Sequence, residues 1–443
     1  MHVSWTFLSV FKFLPLAVGT SDLSQQLLTN NLFSGQWQHQ FSDPDREDSS
    51  CVISHLSAFD QVEGPITPSL SATEHPEIPK LAAINSTTWD QWEFDGVAAS
   101  GKGSFMMGFC RDPSFPFFGQ GNLRIELYVT LEDGTRIEEM QYTQQSTIIS
   151  CADSVRGLWN SSDHLYGFKV SKDLRSAKLW WESRRGKGVI TLDSLTPPVL
   201  ANGALWPPKE GTQDQQHAAV RLGPGFYFNQ PISGGRMVAQ VQMGGKSMRI
   251  AGHGAHTRIW AEDGWLNICH GWHVVRGYLG PYTVSYFQLY SKLDNWVSYL
   301  SAQLFKDGQL LVATQVGDIS RTADHVLFRP DFTGNVSGRL ADSSTGRVLE
   351  FVSATTGKTW RFHHGHETKM FEMGFSGGKG GTGFVTNVQG GELGTDERYQ
   401  GKGFSEQVLL PERVEKWQIW LIYSFSTLGR WKNVVTNFVS FIF

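Results

Sequence analysis

The sequence predicts an all-β protein of two antiparallel lobes, and three observations carry that reading. Aromatic residues make up 13% of the 443-residue chain and 47 residues are glycine; rings pack well on pleated surfaces, and glycines suit the turns between strands. Short runs with period-two alternation recur at close intervals, separated by Asp-Gly, Ser-Thr-Gly and Pro-Pro signals. No stretch sustains a helical period over several turns. The length corresponds to roughly two domains, each able to bury a large core.

Taken in order, residues 1–19 read as a secretory signal peptide. An apolar core runs Val3–Phe11 and resumes at Phe13–Ala17 past Lys12, and Ala17-Val18-Gly19 offers small residues at a cleavage position. Residues 20–84 form a polar, Pro-rich, irregular arm. An N-terminal β domain is expected over 85–265. Its first strand, Trp89–Gly96, would place Trp89, Gln91, Glu93 and Asp95 on one face and Asp90, Trp92 and Phe94 on the other. Two carboxylates beside a tryptophan are odd for a core strand, so that face is expected to look into a cavity. Strands follow at Ser104–Cys110, Asn122–Leu131, Gln145–Ser150, Tyr166–Ser171, Ala177–Glu182 and Gly188–Leu192, then at Phe226–Asn229 and Met237–Met243. Residues 193–217, with two Pro-Pro pairs, are expected as a loop over a pocket. A C-terminal β domain over 266–410 contributes Thr283–Leu289, Val297–Phe305, Leu310–Gln315, Arg347–Ser353, Thr359–His364 and Thr382–Val388. Residues 411–443 form an apolar tail. Its run Trp417–Leu428 is shorter than the roughly 20 residues a spanning helix needs, which leaves an interfacial segment in contact with a membrane, a packed arm or a misassigned exon.

Composition narrows the function classes. A net charge of −4 and a pI near 6.4 lack the basic stripe of a nucleic-acid binder. Acceptor sequons at Asn85, Asn160 and Asn335 fit glycosylation on a secretory route. Cys51, Cys110, Cys151 and Cys269 are an even set suited to two disulfides, with three pairings open. Gly374-Phe-Ser376-Gly-Gly378 matches a nucleophile-elbow pattern, but the Gly-rich run behind it does not start a helix. His363, His364 and His366 do not share one strand face, and no ligand spacing points to a metal. No cofactor motif is present, so none is expected.

The densest chemistry lies mid-chain, at Gly252-His253-Gly254-Ala255-His256-Thr257-Arg258-Ile259-Trp260, Gly271-Trp272-His273 and Gly280-Pro281-Tyr282-Thr283. This stretch reads as the seam between the lobes and one wall of a ligand pocket. Its pattern resembles the central motif of the carotenoid hydratase (hydroxyneurosporene synthase) group of two-domain lipocalin-like proteins. More closely, the chain resembles the fungal Diels–Alderases. The matching pieces are Trp89-Asp-Gln-Trp92-Glu-Phe-Asp95-Gly, Arg221-Leu-Gly-Pro-Gly-Phe-Tyr227, Gly280-Pro-Tyr282, Lys306-Asp-Gly-Gln-Leu310, Thr345-Gly-Arg-Val-Leu-Glu-Phe-Val352 and Tyr399-Gln-Gly-Lys-Gly403. The hydratases carry an acid after the motif histidine, where this chain has Thr257, which favours a reaction without proton transfer.

The resemblance implies two lipocalin-like β domains with a pocket at their junction, and a cofactor-independent Diels–Alderase acting on a hydrophobic diene and dienophile. The leader, sequons and cysteines favour the branch that joins a tropolone-type quinone methide to a humulene-type sesquiterpene. The alternatives are decalin closure on a polyketide–amino acid chain and a non-catalytic carrier. A hydratase or isomerase using Glu93 or Asp95 is a further reading. The expected catalytic donors are His256, Arg258 and Tyr282, oriented by Glu93. The expected substrate walls are Trp89, Trp92, Trp260, Trp272, His273 and Tyr227.

Overall fold

The computed structural model describes residues 51–113, 121–340 and 342–412. The expected signal peptide, the arm up to residue 50 and tail residues 413–443 lie outside these described residues.

The first sheet contains β1 (Val52–Ser57), β2 (Trp89–Ala98), β3 (Ser104–Arg111), β4 (Leu123–Thr130), β5 (Arg136–Tyr142), β6 (Gln145–Ser150) and β7 (Ser154–Asn160). It continues with β8 (Leu165–Ser171), β9 (Ser176–Ser183), β10 (Gly186–Ser194), β11 (Val199–Leu200), β12 (Arg221–Gly223), β13 (Phe226–Met243) and β14 (Lys246–Ala261). Its order is β1-β6-β7-β8-β9-β10-β13-β14-β2-β3-β4-β5, with β11 and β12 set on β13. The second sheet holds β15 (Cys269–Leu279), β16 (Tyr282–Ser291), β17 (Ser298–Lys306), β18 (Gln309–Thr314), β19 (His325–Asp331), β20 (Gly346–Val352), β21 (Thr359–Gly374), β22 (Gly380–Glu392) and β23 (Tyr399–Leu409). Its order is β18-β17-β16-β15-β23-β22-β21-β20-β19. The Val326 amide donates to the Val316 carbonyl at 2.9 Å across the remaining gap, so this sheet is nearly a closed barrel. The all-β, two-lobed, lipocalin-like architecture is therefore the observed one. Among the described residues two short α-helices interrupt it: α1 (Gln213–Val220), and α2 (Trp265–Ile268) at the crossing between the sheets.

Alternation decides which residues make each core. Trp92 and Phe94 of β2, Phe105, Met107 and Phe109 of β3 and Trp159 and Phe168 of β7 and β8 fill the curl of the first sheet. On β2 and β3 the alternate residues, Gln91, Glu93 and Met106 among them, point the other way, toward the second sheet. The Lys306-Asp-Gly308 signal is a hairpin turn as expected, with positive φ at both Asp307 and Gly308. The two strands expected at Phe226–Asn229 and Met237–Met243 are one strand, β13, with register shifts on either side of Ile232. Pro231, which cannot donate to a ladder, sits within that irregularity. Residues 193–217 do not cover a pocket: Val199–Leu200 pair with Asn229–Gln230, and Leu200 packs with Tyr227 and Trp260 in a separate core.

Part of the arm is ordered because the sheet gives it partners. β1 pairs with β6, and Cys51 is disulfide-bonded to Cys151. The carbonyls of Pro76, Glu77 and Ile78 accept from Arg258, Trp92 and Arg258 in turn. Only one disulfide forms among the four cysteines: Cys110 and Cys269 are free and buried, on β3 and β15. Of the sequon residues, Asn335 is exposed and Asn160 half-buried. Asn85 accepts the Thr87 and Thr88 amides at 2.9 and 2.8 Å and donates to Gly64.

Candidate active site

Between the two sheets lies a cavity of about 940 Å³, counting the part open to solvent. Its walls come from alternate residues of facing strands. Gln91 and Glu93 enter from β2, Met106 from β3, Arg124, Glu126 and Tyr128 from β4, and Thr257 and Ile259 from β14. The second sheet answers with Trp272, Val274 and Arg276 of β15, Ser285 and Phe287 of β16, and Glu406 and Val408 of β23. Met106, Tyr128, Phe371 and Met373 form one apolar end. Phe228, Ile259, Trp265, Trp272 and Phe287 form the other. A polar band separates them.

The band is rich in carboxyls. Arg276 lies 3.1 Å from Asp95 and donates to the Thr257 hydroxyl at 2.6 Å. Arg124 pairs with Glu126 at 2.7 Å and with Asp112 at 3.0 Å. Trp272 donates its indole N–H to Glu406 at 3.2 Å. Burial, followed by the charges of Glu406 and Glu126, pushes Glu93 up to about 8 despite Arg276 nearby. Burial likewise raises Glu406 to about 7, against the pull of the Trp272 N–H, and Asp95 to about 6 against Arg276. The Glu93 carboxyl has no hydrogen-bond partner among the described residues. Neither does Nε2 of the Gln230 carboxamide, which also lines the band and whose oxygen accepts from Ser285 at 2.9 Å. A neutral carboxylic acid therefore faces the cavity with a hydrogen bond to give, and an unpaired amide N–H lies buried in its wall.

The sequence-predicted residues divide by strand face. Glu93 and Trp272 line the cavity; His256, Arg258, Tyr282, Trp89, Trp92, Trp260, His273 and Tyr227 do not. His256 is fully buried behind β14, stacked on Phe94 at 3.9 Å, with Nδ1 donating to the Glu93 carbonyl and Nε2 at 2.9 Å from Glu77. Burial pushes Glu77 up, but His256 and Arg258 beside it hold its carboxyl low on balance. Arg258 is spent on Asp90 at 2.7 Å, on arm carbonyls, and on the Trp92 face at 3.7 Å. Tyr282 hydrogen-bonds Glu397, in the loop between β22 and β23. Trp89 stacks on Trp265 at 4.1 Å, so it supports the cavity wall from behind. Trp260 stacks on Tyr227, whose hydroxyl bonds Glu262. His273 packs against Phe328 on the far side of β15 from its neighbour Trp272. His256 and Arg258 thus point away from the cavity, because alternate positions of β14 face opposite ways, and Tyr282 of β16 does not line it either. The polar cavity residues that sequence reasoning did not single out include Arg124, Arg276, Gln230, Glu126 and Glu406. Parity was the usable signal: Arg276 shares a face with Trp272, and Glu93 pairs across the ladder with Thr257, not His256.

The comparisons with known proteins fit this geometry. A family model described as Diels-Alderase-like matches residues 48–411. The chain belongs to the Diels-Alderase-like family. It is similar to the Diels-Alderase mycB of Thermothelomyces thermophilus, 56% identical over 428 residues that cover 96% of each chain. It is also similar to the hexane cyclase pydB of an Acremonium species, 41% identical over 397 residues covering 89% of this chain and 91% of that one. In fold it resembles the crystal structure of CghA, with a TM-score of 0.71 at 23% identity, covering 82% of this chain and all of the other. As a Diels-Alderase, the protein is an enzyme acting on small molecules. The resemblance read from the Trp89–Gly96, Arg221–Tyr227 and Tyr399–Gly403 pieces identified the right family.

Proposed function

We propose that the protein folds one linear polyene chain in the inter-sheet cavity and closes it by an intramolecular Diels–Alder reaction, forming a decalin on a polyketide–amino acid chain. The observation that carries this reading is the neutral, unpartnered Glu93 carboxyl between two apolar ends. The apolar ends hold the hydrocarbon arms. Glu93 and the Gln230 amide donate to a carbonyl conjugated with the dienophile, lowering its acceptor orbital and stabilising the charge that builds there. Positioning alone can supply on the order of 7–11 kcal/mol for two separate reactants; a tether provides part of that, and the walls provide the rest by freezing the chain's rotors.

Acids in the band outnumber the two arginines, which favours a neutral carbonyl over an anionic head. Ring closure is also what the name hexane cyclase says of a relative at 41% identity. The competing intermolecular reading, a tropolone-type quinone methide joined to a humulene-type terpene, rested on the leader, the sequons and two disulfides. Free Cys110 and Cys269 remove one of those grounds. A carrier would call for a cavity without Arg or His, and Arg124 and Arg276 line this one. The test is to incubate the purified protein with a linear polyene enone and, separately, with the two-component pair, measuring rate and diastereomer ratio against buffer. Acceleration of the enone alone supports the proposal; acceleration of the pair alone overturns it.

A further inference from the structure

Most interior strand glycines here have an evident reason. A Cβ on Gly157, Gly167, Gly188 or Gly383 would lie 2.2–2.4 Å from the ring of Phe168, Trp180, Trp181 or Phe371 respectively. A bulky side chain lies directly over each. Gly108, in the middle of β3, is different. A Cβ there would meet only the Cys110 sulfur at 3.6 Å and the Glu126 Cβ at 3.8 Å, which are ordinary contacts. The residue is buried, and a methyl group would fit there at ordinary contact distance from its neighbours.

Its place in the ladder says what that space adjoins. Gly108 pairs with Glu93 on one side and with Glu126 on the other. The row continues to Thr257 beyond Glu93 and to Met140 beyond Glu126. Thr257, Glu93, Glu126 and Met140 all line the cavity, and Met106, which shares the face of Gly108, lines it too. With strands about 4.8 Å apart, the two glutamates flank a gap of about 10 Å whose floor is bare backbone. A central glycine weakens a strand and leaves it nothing to pack with, and it often marks the close approach of a ligand. Alanine would fit, so packing within the protein does not require the glycine.

We infer that Gly108 is the bed of the substrate: the carbonyl-bearing segment crosses the first sheet over it, between the carboxyls of Glu93 and Glu126, and the size of residue 108 sets both rate and stereochemical outcome. This rests on the intramolecular reading above for the identity of the chain. It adds a specificity-determining position that carries no functional group of its own.

The experiment compares wild type with Gly108→Ala and Gly108→Val. Melting temperature, turnover of the linear polyene enone, its diastereomer ratio, and binding of the saturated enone analogue, which cannot cyclise, are measured together. A displacement of about 1 Å at the reacting atoms costs on the order of 100-fold, so G108V is expected to lose at least about tenfold in kcat/KM. G108A should lose less and shift the product ratio, while melting no lower than wild type. Should G108V fail to fold, G108A decides, because its methyl fits the space. Turnover, product ratio and analogue binding all unchanged in a folded variant overturn the inference. If wild type binds the analogue without cyclising the enone, the proposed reaction fails; weaker binding by G108V then still upholds the bed, and equal binding overturns it.

Discussion

Glu93→Gln separates the two roles that a buried acid can play. Glu93 faces Glu126 from β4, Glu406 from β23, Arg276 from β15 and Asp95 on its own strand, and its pKa is raised from 4.5 to about 8. The folded protein therefore keeps a proton that the unfolded chain gives up. Stability contributed by this group is full below about pH 4.5 and is lost as pH rises to about 8. At 1.36 kcal/mol per pKa unit the loss across that window is on the order of 3–5 kcal/mol. A chain of this length melts about 1 °C lower per kcal/mol, so E93Q should gain about 3–5 °C on wild type as pH rises through the window. The activity prediction has its own sign. Neutral Glu93 donates, so wild-type turnover should fall above about pH 8, whereas E93Q keeps an N–H donor, stays active and does not fall there. Glu93→Ala should lose on the order of ten- to a hundredfold, somewhat below the cost of an oxyanion-hole donor. Differential scanning fluorimetry across pH and initial rates with the linear enone read both. A wild-type rate that is flat through this range, with a constant melting gap to E93Q, would refute the neutral-acid argument.

The other site residues make contrasting predictions. Gln230→Leu removes an N–H donor in the cavity wall and should cost about tenfold in kcat, with a stability loss of about 1 kcal/mol for the Ser285 bond; an unchanged kcat removes Gln230 from the mechanism. His256→Ala leaves the buried Glu77 without its partner and should destabilise by about 3–5 kcal/mol, while the folded fraction keeps its product ratio. A changed ratio at full folding would return His256 to a catalytic role. Cys51 and Cys151 are 100 residues apart, so Cys151→Ser should cost up to roughly 4–5 kcal/mol by loop-closure entropy, seen as a lower melting temperature that reductant reproduces in wild type alone.

The fold was legible because its signals are local. Period-two alternation and Asp-Gly turns located most strands to within a residue or two, as at Gln145–Ser150. β5 gave no clear signal because it carries charged residues, Arg136 and Glu138, on an exposed face. The cavity face of β2 was legible too, since two carboxylates beside Trp89 had no place in a core. The donor set was not, and the reason is geometric. His256, Arg258 and Trp260 stood out by residue type, but residue type does not reveal which face of a strand looks at a second sheet. That depends on Glu77, Asp90 and the Pro76–Ile78 carbonyls. Most of these come from an arm far away in sequence, and together they satisfy the back of β14. Gly108 gives the converse case: it offers no side chain to notice.

The acid absent at position 257 has a counterpart across the ladder. Glu93 is the direct cross-strand partner of Thr257, and its carboxyl holds a proton up to about pH 8. A neutral acid beside a bound polyene could in principle protonate an alkene, as a hydratase or isomerase would require. The clustering of the acids opposes this: a carboxylate left at Glu93 would face Glu126 and Glu406 at a high electrostatic cost. Donation without transfer avoids that cost. Cyclisation in D₂O distinguishes the two cases: a Diels–Alder closure forms its bonds from the diene and dienophile alone and should leave the product carbon skeleton free of deuterium beyond the buffer control. Protonation at carbon followed by ring closure or hydration would install one deuterium per turnover, and mass spectrometry of the product would show it. One enzyme-dependent deuterium on carbon would make Glu93 an acid catalyst; none leaves it a hydrogen-bond donor.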